Sequence, residues 1–195
     1  MIGRRHVLTA AHCLYDKARK KWVDPSGIHF VLGYDHGSYR SHAIAKTYMK
    51  SPEYEYSNTL PDYSRDWTII ELETEIQGVK VVPLKVSGLE DKPGTSTSNL
   101  MRAGYSRVTN QAMSVQTRCS ASFARVEGVS GGILTHDCEA IPGESGSALL
   151  QVIDGEHHII GVLVAMTRGG GAIRALAVPA GAFASRAADI LNKGR

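Results

Sequence analysis

The sequence predicts an all-β fold closed by one C-terminal helix, and three observations carry that expectation. Short runs of β-branched and other apolar residues recur along the chain with turn residues between them, the pattern of a sandwich or barrel. Glycine is abundant, 20 of 195 residues, and aromatics are sparse at 7%, which favours turns and short strands over long helices. Only one segment, residues 182–192, has helical spacing: Phe183, Ala187, Ile190 and Leu191 recur at i, i+4, i+7 and i+8.

In chain order, the expected strands of the first half are residues 5–9, 28–33, 42–49, 67–71 and 79–84. Those of the second half are 100–106, 113–119, 132–136, 147–153, 158–166 and 172–178. Each is a run of Val, Ile, Leu, Ala or Thr of strand length, interrupted by Gly, Pro, Ser or charged residues. The stretch 87–99 is rich in Gly, Pro, Ser, Thr and charge without periodicity, and reads as a connector between two halves. The division expected is residues 1–92 and 93–195. A chain of 195 residues can bury a full core as one compact unit or two small packed ones.

The formal charge of +3 is small and scattered, and gives no reason to expect a nucleic-acid partner. No apolar stretch approaches the ~18 residues that span a bilayer, so no membrane partner is expected. Met1-Ile2-Gly3-Arg4-Arg5 has no apolar segment behind its charges and does not read as a signal peptide.

Three short words carry the chemistry: Thr9-Ala10-Ala11-His12-Cys13, then Arg65-Asp66-Trp67, then Pro142-Gly143-Glu144-Ser145-Gly146-Ser147. An imidazole base, a carboxylate and a hydroxyl nucleophile are the parts required for acyl transfer from a peptide or ester. Small residues around Ser145 allow a tight turn that exposes its hydroxyl. Asp66 opens an apolar strand that would anchor its backbone, whereas no apolar strand directly follows the nearby Asp62. The α/β-hydrolase elbow needs Gly two residues after its serine, where this chain has Ser147, and it runs Ser, acid, His. Here the order is His, Asp, Ser.

On these words, each in its matching context, the chain resembles the trypsin-like serine proteases. It is most similar to the bacterial branch that includes the glutamyl endopeptidases. The resemblance spans nearly the whole chain. It implies a double six-stranded Greek-key barrel with a C-terminal helix, and a seam between barrels that holds His12 as general base, Asp66 as its orienting partner and Ser145 as nucleophile. It also implies an oxyanion hole from the amides of Gly143 and Ser145, a polypeptide substrate, a monomer, and a secreted or periplasmic location. No metal or cofactor is implied.

The resemblance places the primary substrate pocket at residues 139–142 and 164–167, including Glu139, Ala140, Val164, Ala165 and Met166. Glu139 occupies the position that makes trypsin specific for basic side chains, and two readings stand: a pocket-base carboxylate or a solvent-facing acid beside Cys138. Ala140 and Leu163 replace the Thr and His expected for glutamyl specificity. Glu144 stands where trypsin has Asp, the acid that pairs with a freed α-amino group in zymogen-activated members.

The chain has three cysteines. His136-x-Cys138 lacks the spacing of common zinc words, and a disulfide between Cys119 and Cys138 is the expectation instead. His157 and His158 are neighbours on an expected strand, facing opposite sides, and read as surface residues. Gly169-Gly170-Gly171 reads as a hairpin tip. Cys13 is left over, and in related proteases the cysteine after the histidine bonds to one just upstream. The corresponding expectation is a first barrel lacking about two strands at its N-terminal side. A non-catalytic, protease-like binding module and an esterase are the alternative functions that the residues leave open.

Overall fold

The computed structural model describes residues 1–59, 61–78, 84–87, 92–106, 108, 112–125, 129–169 and 172–193. Its strands are β1 (His6–Thr9), β2 (Tyr15–Asp16), β3 (Lys21–Trp22), β4 (His29–Leu32), β5 (Ser41–Lys50), β6 (Thr68–Leu72) and β7 (Lys85–Val86). They continue with β8 (Ser96–Tyr105), β9 (Met113–Arg125), β10 (Gly132–His136), β11 (Ala148–Ile153), β12 (Glu156–Gly169) and β13 (Ala172–Pro179), followed by helix α1 (Ala184–Lys193). Ten of the eleven expected strands coincide with these; most of the eleventh, 79–84, lies outside the described residues, as does part of the 169–171 tip.

The strands form two bodies. β1, β6, β5 and β4 make a four-stranded sheet in that order, an open half-barrel. β11, β8, β9, β10, β13 and β12 pair in sequence, and β11 pairs back with β12, which closes a six-stranded barrel. Among the described residues the first sheet holds four strands against the six of the closed barrel. β7 adds in parallel to β12, and β2 and β3 form a separate hairpin.

The half-barrel buries Val7, Leu14, Ala45, Ile70 and Leu72. The closed barrel buries Leu100, Phe123, Leu134, Leu149 and Ile160 on alternating positions of its strands. A third cluster joins the two bodies: Trp67 and Ile69 of the first meet Ile133, Val162 and Val178 of the second, with Phe183 and Ala187 from the helix region. Phe183 is 1% exposed and its ring lies 6.1 Å from that of Trp67, centroid to centroid. The helical spacing read at Phe183 and Ala187 therefore marks the face that locks α1 onto the seam, beside Asp66. Burying such a side chain is worth roughly 2–3 kcal/mol.

The connector ends earlier than its composition suggests, because Ser96 and Thr97 pair with Ser122 and Ala121 of β9. Cross-strand pairing has overridden a turn-like local composition there. Asn99, at φ 56°, takes up the irregularity in register between Thr97 and Leu100.

Cys119 and Cys138 are joined in a disulfide, with Cα atoms 5.0 Å apart, tying β9 to the segment before Ser145. Cys13 is free and exposed. His157 is exposed, while His158 is half-buried with its Nδ1 2.6 Å from Ser87 Oγ. Among the described residues no helix is long and apolar enough to cross a membrane, and no group of three His, Cys, Asp or Glu could hold a metal ion.

His136 is 1% exposed and neither ring nitrogen has a hydrogen-bond partner. Burial, together with the charge of Arg102, pushes its pKa down to about 4 against the opposing pull of Asp137. An unfolded histidine titrates near 6.5, so between about 6.5 and 4 the unfolded chain binds the extra proton. Stability therefore falls as pH drops through that window, by about 3 kcal/mol for this group. In thermal unfolding from pH 7 to pH 4, His136→Gln is expected to flatten the pH dependence; an unchanged slope would contradict the assignment.

Candidate active site

His12 lies on a short 3-10 turn, Ala11–Leu14, that directly follows β1. Ala10 and Ala11 are fully buried, and larger side chains would push this turn off the core. Asp66 ends another 3-10 turn, Tyr63–Arg65, and is 2% exposed where the chain enters β6. The alternative acid, Asp62, has structural work instead: its carboxylate accepts from Ser64 N and Oγ and from Ser130 Oγ.

The two turns bring His12 and Asp66 together at two points. The His12 backbone N–H donates to Asp66 Oδ1 at 2.8 Å, and Nδ1 lies 2.5 Å from Oδ2. Burial disfavours the imidazolium, but the hydrogen bond and charge of Asp66, assisted by Cys13, outweigh it and push the His12 pKa up to about 10. The Tyr54 hydroxyl also interacts with Asp66. Burial first, then the Asp66 charge and a hydrogen bond to that carboxylate, pushes the Tyr54 pKa up.

Ser145 is half-buried at the top of a turn with Gly143 at φ +99° and Gly146 at φ +90°. L side chains rarely adopt either conformation, which is why glycine flanks the serine at these two positions. Gly146 N–H donates to Leu163 O at 2.8 Å, and a Cβ on Gly146 would fall 2.2 Å from Thr9 Oγ1. The serine turn is thereby clamped between β12 of the closed barrel and the end of β1, next to the turn of His12. Cys13 Sγ lies 3.7 Å from Ser145 O. Ser145, Gly143, Gly146, Thr9 and Cys13 line one cleft of about 480 Å³. Among the described residues Ser145 makes no hydrogen bond to His12, and the N–H groups of Gly143 and Ser145 have no acceptor.

Glu144 holds the underside of the turn. It is 1% exposed, and its Oε1 lies 2.7 Å from Arg102 Nη1, an ion pair by distance without hydrogen-bond alignment. Ser114 Oγ donates to Oε1 at 2.7 Å and Ile141 N–H to Oε2 at 2.9 Å. Ser147 Oγ donates to Glu144 O at 2.6 Å. β8 runs so close behind that a Cβ on Gly104 would lie 1.7 Å from Ser147 Oγ. Arg102, Ser114 and Tyr54 are site-supporting residues that the motif words did not reveal. An arginine within the apolar run Leu100–Tyr105 was the available signal, since a buried cation requires a partner.

Of the expected pocket residues, Glu139 is exposed, Ala140 and Ala165 are half-buried, Val164 is 4% exposed and Met166 36%. β12 shifts register against β13 between Leu163 and Ala165, a bulge of the kind that re-aims side chains beside sites.

The comparisons agree with this architecture. A glutamyl endopeptidase solved in complex with MPD superposes with TM-score 0.67 at 18% identity, covering 97% of this chain and 82% of that one. A scabies mite inactivated protease paralogue gives TM-score 0.71 at 19% identity, covering 99% and 86%. These likenesses show a trypsin-like double-barrel fold. No curated protein matches the sequence. A family model, the trypsin-like peptidase domain, matches residues 1–162. The chain, with its half-barrel and closed barrel meeting at the His12 and Ser145 turns, belongs to the trypsin-like peptidase family.

Proposed function

We propose that the chain is a serine endopeptidase acting through an acyl-enzyme on Ser145. The observation that carries this reading is the two-point contact of Asp66 with His12. With Nδ1 committed to the carboxylate, Nε2 is the nitrogen left to take a proton. In the reaction, Ser145 Oγ attacks the peptide carbonyl carbon while its proton passes to His12. The oxyanion is received by the Gly143 and Ser145 N–H groups, which have no acceptor among the described residues. The C–N bond then breaks, the departing amine takes the proton from His12, and water repeats the sequence to release the acid.

The same reading takes residues 1–92 and 93–195 as the two halves, with His12 and Asp66 on one and Ser145 on the other. It places the substrate backbone along β12, with Glu139, Ala140, Val164, Ala165 and Met166 near the primary side chain. It makes the protein a monomer acting on polypeptides, exported to an oxidising compartment where the Cys119–Cys138 bond persists.

A non-catalytic binding module is the second reading. The absent Ser145–His12 hydrogen bond favours it, as does the likeness to an inactivated protease paralogue. Catalytic hydrogen bonds are commonly long before substrate arrives and tighten when it binds, so the peptidase reading accommodates this geometry. A serine-directed phosphonate with mass spectrometry separates the two. Labelling on Ser145 that Ser145→Ala abolishes is the expected result. A folded protein that takes up no label rules out the peptidase.

A further inference from the structure

Two histidines that the reaction does not use stand face to face on the four-stranded sheet. His29 of β4 and His42 of β5 are diagonal neighbours in an antiparallel ladder, where His29 pairs with Ile44 and Val31 with His42. Such neighbours share a face of the sheet and lie within reach of aromatic side chains. Both imidazoles are exposed, and their rings lie 5.0 Å apart with planes at 18°. His29 Nδ1 comes to 2.8 Å from His42 Nε2. As a hydrogen bond, one facing nitrogen donates its proton to the lone pair of the other. Moving that proton to the outward nitrogen of the same ring is only a change of tautomer. It costs no net proton and turns both lone pairs toward a shared point.

The spacing selects among metals. An imidazole nitrogen binds a first-row dication at about 2.0–2.1 Å, and two nitrogens 2.8 Å apart at that range subtend about 85–90° at the ion. That is the angle between neighbouring ligands of a square or tetragonal centre. A tetrahedral ion would need the nitrogens roughly 0.5 Å further apart. The pair therefore suits copper(II), which also has the highest affinity for nitrogen ligands in the series, better than zinc. His36, on the loop between the two strands, is turned to Asp35, with Nδ1 2.5 Å from Oδ1. Among the described residues no third His, Cys, Asp or Glu completes a set, which leaves the remaining positions to water. The place of the pair in the fold gives an ion something to do. β4 is the outer strand of its sheet, bonded only to β5, and His29 lines the cleft that holds Ser145.

We propose that His29 and His42 form a copper(II)-binding site that clamps the edge strand β4 onto β5 at the wall of the cleft. The probe is Cu²⁺ supplied from a glycine buffer, which holds back weak surface binding, read by electron paramagnetic resonance at less than one equivalent. The expected result is one tetragonal signal split by two imidazole nitrogens. His29→Ala and His42→Ala should each remove one nitrogen from that pattern and weaken binding by more than about tenfold, a loss that even outer-shell changes can reach. His36→Ala and His157→Ala should leave signal and affinity unchanged. The substituted side chains are exposed, so the variants should fold, and their melting curves check that. Hydrogen exchange of the His29–Leu32 amides should slow on adding Cu²⁺ to the native protein and not to His29→Ala or His42→Ala. Copper that binds these two variants as tightly as the native chain is an adventitious ion only and overturns the site, as does an absence of binding. Binding that leaves exchange in β4 unchanged overturns the clamp. None of these readouts depends on Ser145, so the outcome is independent of the peptidase reading.

Discussion

Arg102→Leu is expected to lower kcat by about 100-fold while KM changes little, the pattern of a displaced oxyanion hole rather than a lost substrate contact. The guanidinium lies 2.7 Å from a Glu144 carboxylate that is fully buried, one residue before Ser145. Removing the cation leaves that charge unpaired in the interior, a change that typically costs about 3–5 kcal/mol. For a chain of this size the melting temperature should fall by about 10 °C. The relaxation open to Glu144 is to turn toward water, which would release Ile141 N–H and Ser114 Oγ and with them the Gly143 amide. A double variant, Arg102→Leu with Glu144→Leu, separates the two effects. With both charges gone, stability should recover most of its loss, since an apolar pair can replace a buried ion pair. Activity should stay low, because the ties from Glu144 to Ile141 and Ser114 remain broken. Steady-state kinetics and calorimetry on the two variants make the check, and a folded Arg102→Leu protein with native kcat would show that the brace does not position the turn.

The brace also shows what was legible in the sequence and what was not. His12, Asp66 and Ser145 announce themselves because each sits in a local word whose small or apolar neighbours are needed for the turn that presents it. The strands were legible for a similar reason: their apolar runs are set by burial within one sheet. Arg102 and Glu144 are 42 residues apart and meet only when β8 packs behind the serine turn, so neither residue's neighbours encode the contact. Tyr54 reaches Asp66 from a loop with no periodicity at all. The β2–β3 hairpin was missed because two-residue strands offer no alternation to read. The expected connector runs past the start of β8 because Ser96 and Thr97 look like turn residues until β9 is beside them. Local chemistry is written locally; the supports that hold it in place come from tertiary packing.

The Asp66–His12 contact leads to the second large effect. Asp66→Asn is expected to reduce kcat/KM by about 10⁴-fold without unfolding the protein, because an amide at this position can donate to Nδ1 and hold the ring in the tautomer that cannot accept the Ser145 proton. The charge matters as well as the tautomer. In the native chain Asp66 raises the His12 pKa to about 10 against the effect of burial, so the active, neutral base appears on an alkaline limb of the pH–rate profile. Without the carboxylate, burial is opposed only by the smaller pull of Cys13, and the residual activity should show its limb at lower pH. The stability effect has the matching sign. A histidine whose folded pKa lies above its unfolded value of ~6.5 contributes stability that is fully present below 6.5 and is lost as pH rises toward 10. The melting-temperature gap between the native protein and Asp66→Asn should therefore be wide at pH 6 and close as pH approaches 10. If the gap stays constant across that range, or if the rate limb does not move, Asp66 is not the group that holds the His12 proton, and the acid partner must be sought elsewhere in the cleft.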